Sequence, residues 1–313
     1  MRQENLRMNY LMIGCKDRRI TSMSKSNVDR YKDYVKKYEL LGKRVPFKFR
    51  INEETDSVSI RNYIIDEDSD DRSKKIIVEI PSFVTNIHKE NWRFGFDRSV
   101  FTYVNATLKV INHSQIKDMS YMFTRYKGEE LDLSEFDTNE VTNMSYMFSG
   151  CENLERINLS GIDTGNVKNM CEMFGRCNSL ESIDVSGFNT SKVTDMSSMF
   201  KECYSLKDIH INGIDTSNVV EMTEMFMECE SLERIDISSF NTDRLTDIQN
   251  MFDGCESLTE LDMGNFSNVA NMSELLCGCK NLKRVYGGEQ IQKEFERRFN
   301  ESRFFLRDRH NKF

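Results

Sequence analysis

Apolar and polar positions recur along this chain in one fixed block. In one copy, Val219, Met222, Met225, Phe226, Cys229 and Leu232 lie at offsets of 0, 3, 6, 7, 10 and 13. At about 100° per residue these side chains share one face, which predicts a short amphipathic helix. The beat then changes to two. Ile235 and Ile237 alternate with Arg234, Asp236 and Ser238, which predicts a short strand with alternate residues facing inward. Phe240 follows, and then the polar Asn241-Thr242-Asp243, whose side chains can bond local backbone and end the strand.

The block returns at a constant interval. Met-Phe occurs at 122–123, 147–148, 173–174, 199–200, 225–226 and 251–252, in one step of 25 residues and four of 26. Cysteine keeps the beat at Cys151, Cys177, Cys203, Cys229, Cys255 and Cys279, with Leu154, Leu180, Leu206, Leu232, Leu258 and Leu282 three residues after each. A repeat of this length cannot bury its apolar face alone, so units must stack into a solenoid. The expected class is α/β, with parallel strands on one face of the stack and short helices on the other.

The strand portion Leu232-x-x-Ile235-x-Ile237 matches the leucine-rich repeat core L-x-x-L-x-L. It departs from the common pattern in placing Phe136, Ile162, Phe188, Ile214, Phe240 and Phe266 where Asn or Cys is usual. Together with "NTSKVTDMSSMF" (189–200) and "DTSNVVEMTEMF" (215–226), the repeats over 116–286 resemble the BspA-like branch of leucine-rich repeats, found also in mycoplasma-type surface lipoproteins. "IIVEIPSFVTNI" (76–87) is a fainter echo upstream. The resemblance implies a binding or adhesion scaffold and brings no catalytic motif with it.

Four segments are expected: a poorly ordered stretch over 1–25, an α+β cap over 26–97, the repeats over 98–286 and a capping helix over 287–313. In the cap, Val28, Tyr31, Tyr34, Val35, Tyr38 and Leu41 have helical spacing, with Asn27 to cap the start and Gly42 the end. Residues 45–51 and 57–65 read as a hairpin. The acidic run Asp66, Glu67, Asp68, Asp70, Asp71 lacks the glycine and distal glutamate of an EF-hand loop. After the last repeat, Ile291, Phe295, Phe299 and Leu306 fall on one helix face, which can cover the open end of the stack.

Charge divides the chain. Residues 118–286 hold 30 acidic side chains against 13 basic, a balance of −17, whereas residues 1–117 hold 23 basic against 16 acidic, a balance of +7. The acidic repeats favour a protein partner with a basic surface. Nucleic acid, or the repeats' own acidic flank, could meet only the basic N-terminal region. No run of eighteen apolar residues occurs, so no membrane span is expected. Six of the nine cysteines share one repeat position and should stack as small buried thiols, which fits a reducing, cytoplasmic setting. The alternative is the cell surface, because "MIGC" (12–15) faintly resembles a lipoprotein cleavage box.

The motifs of nucleotide, hydrolase and zinc-protease sites are missing, and His88, His113, His210 and His310 are far apart. We therefore expect no enzyme and no cofactor or metal. The candidate site is a surface made of stacked outward residues. One column holds Asp132, Asn158, Asp184, His210, Asp236 and Asp262, and a second holds Arg156, Ser182, Asp208, Arg234, Glu260 and Arg284. The expected function is a protein-interaction scaffold using this strand face. The alternative is a regulatory or defence-type component whose N-terminal region contacts nucleic acid or an effector while the repeats sense a protein.

Overall fold

The computed structural model describes residues 26–41, 47–52, 54, 57–63, 75–82, 84, 86–87, 100–101, 107–112, 116–266 and 269–297. Residues 1–25, Gly42, the acidic run 66–71, His88, His113, Phe299, Leu306 and His310 lie outside the described residues. Helix α1 (Asn27–Leu40) is capped by Ser26, one residue before the expected Asn27, and the Ser26 hydroxyl accepts from the Asp29 N–H at 3.1 Å. Tyr31 and Tyr34 meet Phe49 edge-on, on strand β1 (Phe47–Asn52), which pairs antiparallel with β2 (Ser57–Tyr63) as the expected hairpin.

Stacking begins at β3 (Lys75–Ile80). The short β4 (Asn86–Ile87) joins β2, while β3 pairs in parallel with β5 (Thr107–Asn112), β5 with β6 (Glu130–Phe136), and β6 with β7 (Arg156–Asn158). Two further parallel pairs follow, β8 (Ser182–Asp184) with β9 (Asp208–His210), and β10 (Glu260–Asp262) with β11 (Arg284–Tyr286). Parallel strands thus line one face, as the alternation predicts. They form separate short sheets instead of one, and the segment 234–236 is not paired as a strand. Strands of three residues share few ladder bonds, so they cannot by themselves carry the register of the stack.

The opposite face carries the register, and here the expected helices are replaced. Among the described residues no α-helix forms in the repeats. The N–H groups of Met170, Glu172, Phe174 and Arg176 donate to the carbonyls of Asp195, Ser197, Met199 and Lys201, one coil on, at 2.7–3.0 Å. Between them, the N–H groups of Met173, Gly175 and Cys177 close tight turns onto carbonyls three residues back. An α-helix sends each N–H four residues back along its own chain. Here every second N–H leaves for the neighbouring coil instead. Two residues per coil are left-handed, such as Glu172 (φ 51°) with Arg176 (φ 61°) and Glu224 (φ 58°) with Glu228 (φ 60°), and each such residue stops a right-handed helix. A row of parallel bridges, Asp118, Asn143, Asn169, Asp195, Glu221, Asp247 and Asn271, runs through all these coils.

Inside, equivalent side chains lie over one another. Phe101, Phe123, Phe148, Phe174, Phe200, Phe226 and Phe252 stack with centroids 5.0–5.7 Å apart and rings within 14° of parallel. The cysteine row is buried and does more than fill space. Each Sγ–H donates to a phenylalanine carbonyl of the preceding coil, as Cys203 does to Phe174 at 3.1 Å and Cys229 to Phe200 at 3.1 Å. Burial pushes the Cys203 thiol up to about 12, so it stays protonated and able to donate. At the C-terminal end a second helix, α2 (289–297), buries Ile291 and packs Phe295 against the core. Arg297 on α2 pairs with Glu274 of the last coil at 2.5 Å.

Candidate interaction surface

The strand face presents the two columns at the register expected from the repeat. Asp132 sits opposite Asn158, Asp184 opposite His210, Ser182 opposite Asp208, and Glu260 opposite Arg284. Asn158, Asp184, His210, Asp236 and Asp262 are exposed, and Asp132 is half-buried.

Each acidic or amide side chain of the first column also closes the turn after its own strand. Asp132, Asn158, Asp184, Asp236 and Asp262 accept from the N–H of Ser134, Ser160, Ser186, Ser238 and Gly264 at 2.9–3.1 Å. The Ser186 and Ser238 hydroxyls add second bonds, at 2.6 and 2.7 Å. These serine bonds hold the Asp184 and Asp236 carboxyls below the usual carboxylate range. Asp184 and Asp236 therefore stay ionised at neutral pH, and every member of the row except His210 is oriented by local backbone.

The second column cancels much of its own charge. Arg156 donates to Glu130 at 2.8 Å and to Glu155 at 2.9 Å, and Arg284 donates to Glu260 at 2.8 Å. Hydrogen bonds from Arg284 and then Tyr286 hold the Glu260 carboxyl low. Asp208 approaches the His210 ring at 3.6 Å. Sequence reasoning missed the ends of the first column. Ile77 and Lys109 precede Asp132 in register, and Tyr286 follows Asp262. Lys109 lies 2.7 Å from Glu135 and 3.8 Å from Asp132. The faint upstream echo over 76–87 was the available signal for this extension.

The turn face carries a second set of carboxylates that the columns did not include. Glu228 lies with its carboxylate 2.8–3.1 Å from where a Cβ at Gly254 would stand. Partial burial, and then repulsion from Asp253, push the Glu228 carboxyl up. Partial burial, with Glu274 and Glu224 nearby, does the same to Asp253. A carboxyl raised in the fold binds its proton more tightly folded than unfolded, so it costs stability as pH rises through and above the usual carboxylate range. Glu228→Gln should therefore raise the melting temperature at about pH 7 and leave it nearly unchanged at about pH 4, where the acid is protonated anyway. Melting curves across pH check this, and a lower melting temperature for the glutamine variant at neutral pH would contradict it.

Among the described residues, no group of three or more His, Cys, Asp or Glu is gathered to hold a metal ion, and no helix is long and apolar enough to cross a membrane. The family described as Mycoplasma protein of unknown function, DUF285, matches residues 94–205 and 177–287, which together span more than half of the chain. The chain belongs to the DUF285 family. In this DUF285 protein the matched span covers the repeats that resemble the BspA-like type. A leucine-rich repeat protein from Bacteroides ovatus is similar at 14% identity over 78% of this chain and 76% of its own, with a TM-score of 0.35. A leucine-rich cell surface protein from Faecalibacterium prausnitzii is similar at 15% identity over 80% of this chain and 95% of its own, with a TM-score of 0.26. No curated protein is significantly similar to the DUF285 chain.

Proposed function

We propose that this protein is a non-enzymatic interaction scaffold whose strand face receives a protein with a basic surface. One observation carries the reading. The second column is largely neutralised by its own ion pairs, whereas Asp184, Asp236 and Asp262 of the first are exposed, oriented by their turns and free of a basic neighbour in the column other than His210. A line of uncancelled charge on a rigid array steers and orients a complementary partner more than it adds raw affinity.

The test removes charge and keeps the turn. Asn158 already closes the same turn with an amide oxygen, so Asp→Asn at 184, 236 and 262 should preserve the fold. The triple variant is expected to bind a labelled oligolysine peptide about tenfold more weakly at low salt, with its melting temperature little changed. An unchanged affinity would remove the strand face from the reading.

A further inference from the structure

One turn in the array breaks the rule that closes the others. Asn158, Asp184, Asp236 and Asp262 each hold the N–H two residues on, but in the coil between them His210 stands in that row. Asn212-Gly213 follows it, the only Asn-Gly pair in the 313 residues. Both residues are exposed. Neither the Asn212 side chain nor the Gly213 N–H has a hydrogen-bond partner among the described residues. Gly213 is left-handed, at φ 92°, and no heavy atom lies within 4 Å of where its Cβ would stand. Of the corresponding glycines, Gly161 is held tightly, its Cβ position 2.2 Å from the Leu133 carbonyl oxygen, and Gly187 is as open as Gly213 but is not left-handed and follows a turn that Asp184 closes.

We propose that Asn212 is a modification site, at which the side-chain amide deamidates spontaneously through a cyclic imide formed with the backbone nitrogen of Gly213. Solvent hydroxide removes the Gly213 N–H proton. The nitrogen then bonds to Asn212 Cγ, the Cγ–Nδ2 bond breaks, and ammonia leaves with a proton from water. Water next opens either carbonyl–nitrogen bond of the imide, giving aspartate or isoaspartate. One water is consumed, one ammonia is released and nothing is oxidised or reduced. The missing Cβ at Gly213 clears the approach, and the missing turn bond leaves the amide free to rotate into it. The product adds a carboxylate beside His210, between the Asp184 and Asp236 coils. In the isoaspartate form it also lengthens the backbone of a coil whose neighbours fix its register.

The experiment incubates the full native chain at mildly alkaline pH and follows the peptide containing residue 212 by mass spectrometry and isomer-resolving chromatography. Asn212 is expected to convert faster than every other asparagine in the described repeats, with isoaspartate as the larger product. Gly213→Ala should slow the conversion by about tenfold, which corresponds to about 1.4 kcal/mol in the barrier. His210→Asp, which restores a turn acceptor, should slow it as well. The proposal is overturned if the native chain keeps Asn212 intact under conditions in which the urea-unfolded chain converts. It is equally overturned if Gly213→Ala converts at the parent rate, or if aspartate forms without isoaspartate.

Discussion

Phe200→Ala is expected to destabilise the repeat array by about 3–5 kcal/mol, the range for truncating a fully buried aromatic. The Phe200 ring is wholly buried, 5.6 Å from Phe174 on one side and 5.7 Å from Phe226 on the other, both nearly parallel to it. Removing it opens a void in the middle of a column that runs from Phe101 to Phe252. The void cannot close by collapse, because the backbone on both sides is pinned coil to coil by the Phe174-to-Met199 and Phe200-to-Met225 hydrogen bonds, each 2.9 Å. A solenoid holds together only through neighbour contacts, so weakening one central interface weakens the coupling between its two halves. Urea unfolding measures the loss as a lowered midpoint. A broadened transition would be further evidence of uncoupled halves, whereas a loss under about 1 kcal/mol would mean that the ring is not packed inside.

Thr216→Val is expected to cost roughly 2–3 kcal/mol although the side chain keeps its shape. The Thr216 hydroxyl donates to the Asn241 carbonyl at 2.9 Å and accepts from the Asn241 N–H at 2.7 Å, so one oxygen satisfies both backbone groups of a residue in the next coil. Thr138 does the same for Asp163, with both distances 2.7 Å. Thr164 and Thr190 repeat the outgoing bond. Valine would leave a donor and an acceptor unpaired beside a buried row, and stranding such groups costs more than the bonds contribute when made. Thr216→Ser keeps both bonds and should lose less than about 1 kcal/mol, the share of one methyl group. Equal losses for valine and serine would assign the effect to packing instead of to the hydroxyl.

Much of the architecture is visible in spacing. The Met-Phe, Cys and Leu beats name the buried rows, and the alternation predicts the outward positions that strand pairing sets opposite one another at 132 and 158, 184 and 210, and 260 and 284. Spacing does not decide the turn face, because the offsets 0, 3, 6, 7, 10 and 13 fit a helix and also fit successive tight turns that bury the same residues. What separates the two is handedness at two positions per coil. Glycine marks one of those columns at Gly150, Gly254 and Gly278, but Arg176, Glu202 and Glu228 occupy it elsewhere and disguise the left-handed backbone. The aspartate column carried a second hidden cue. In Asp184-x-Ser186 and Asp236-x-Ser238 the serine two residues on signals a side chain closing a turn, so these carboxylates serve the fold and remain charged at its surface. The thiol-to-carbonyl bonds have no sequence signature apart from the repeat itself, because a small apolar residue would fit the same row.

Peptide-resolved alkylation of the native protein tests the stacking most directly. Cys151, Cys177, Cys203, Cys229, Cys255 and Cys279 are buried, whereas Cys171 and Cys277 are only half-buried. The account predicts that the six row thiols resist reagent until the array unfolds and then become reactive together, while Cys171 and Cys277 label earlier. A row thiol that labels in the folded protein as fast as Cys171 would contradict the coil-upon-coil core.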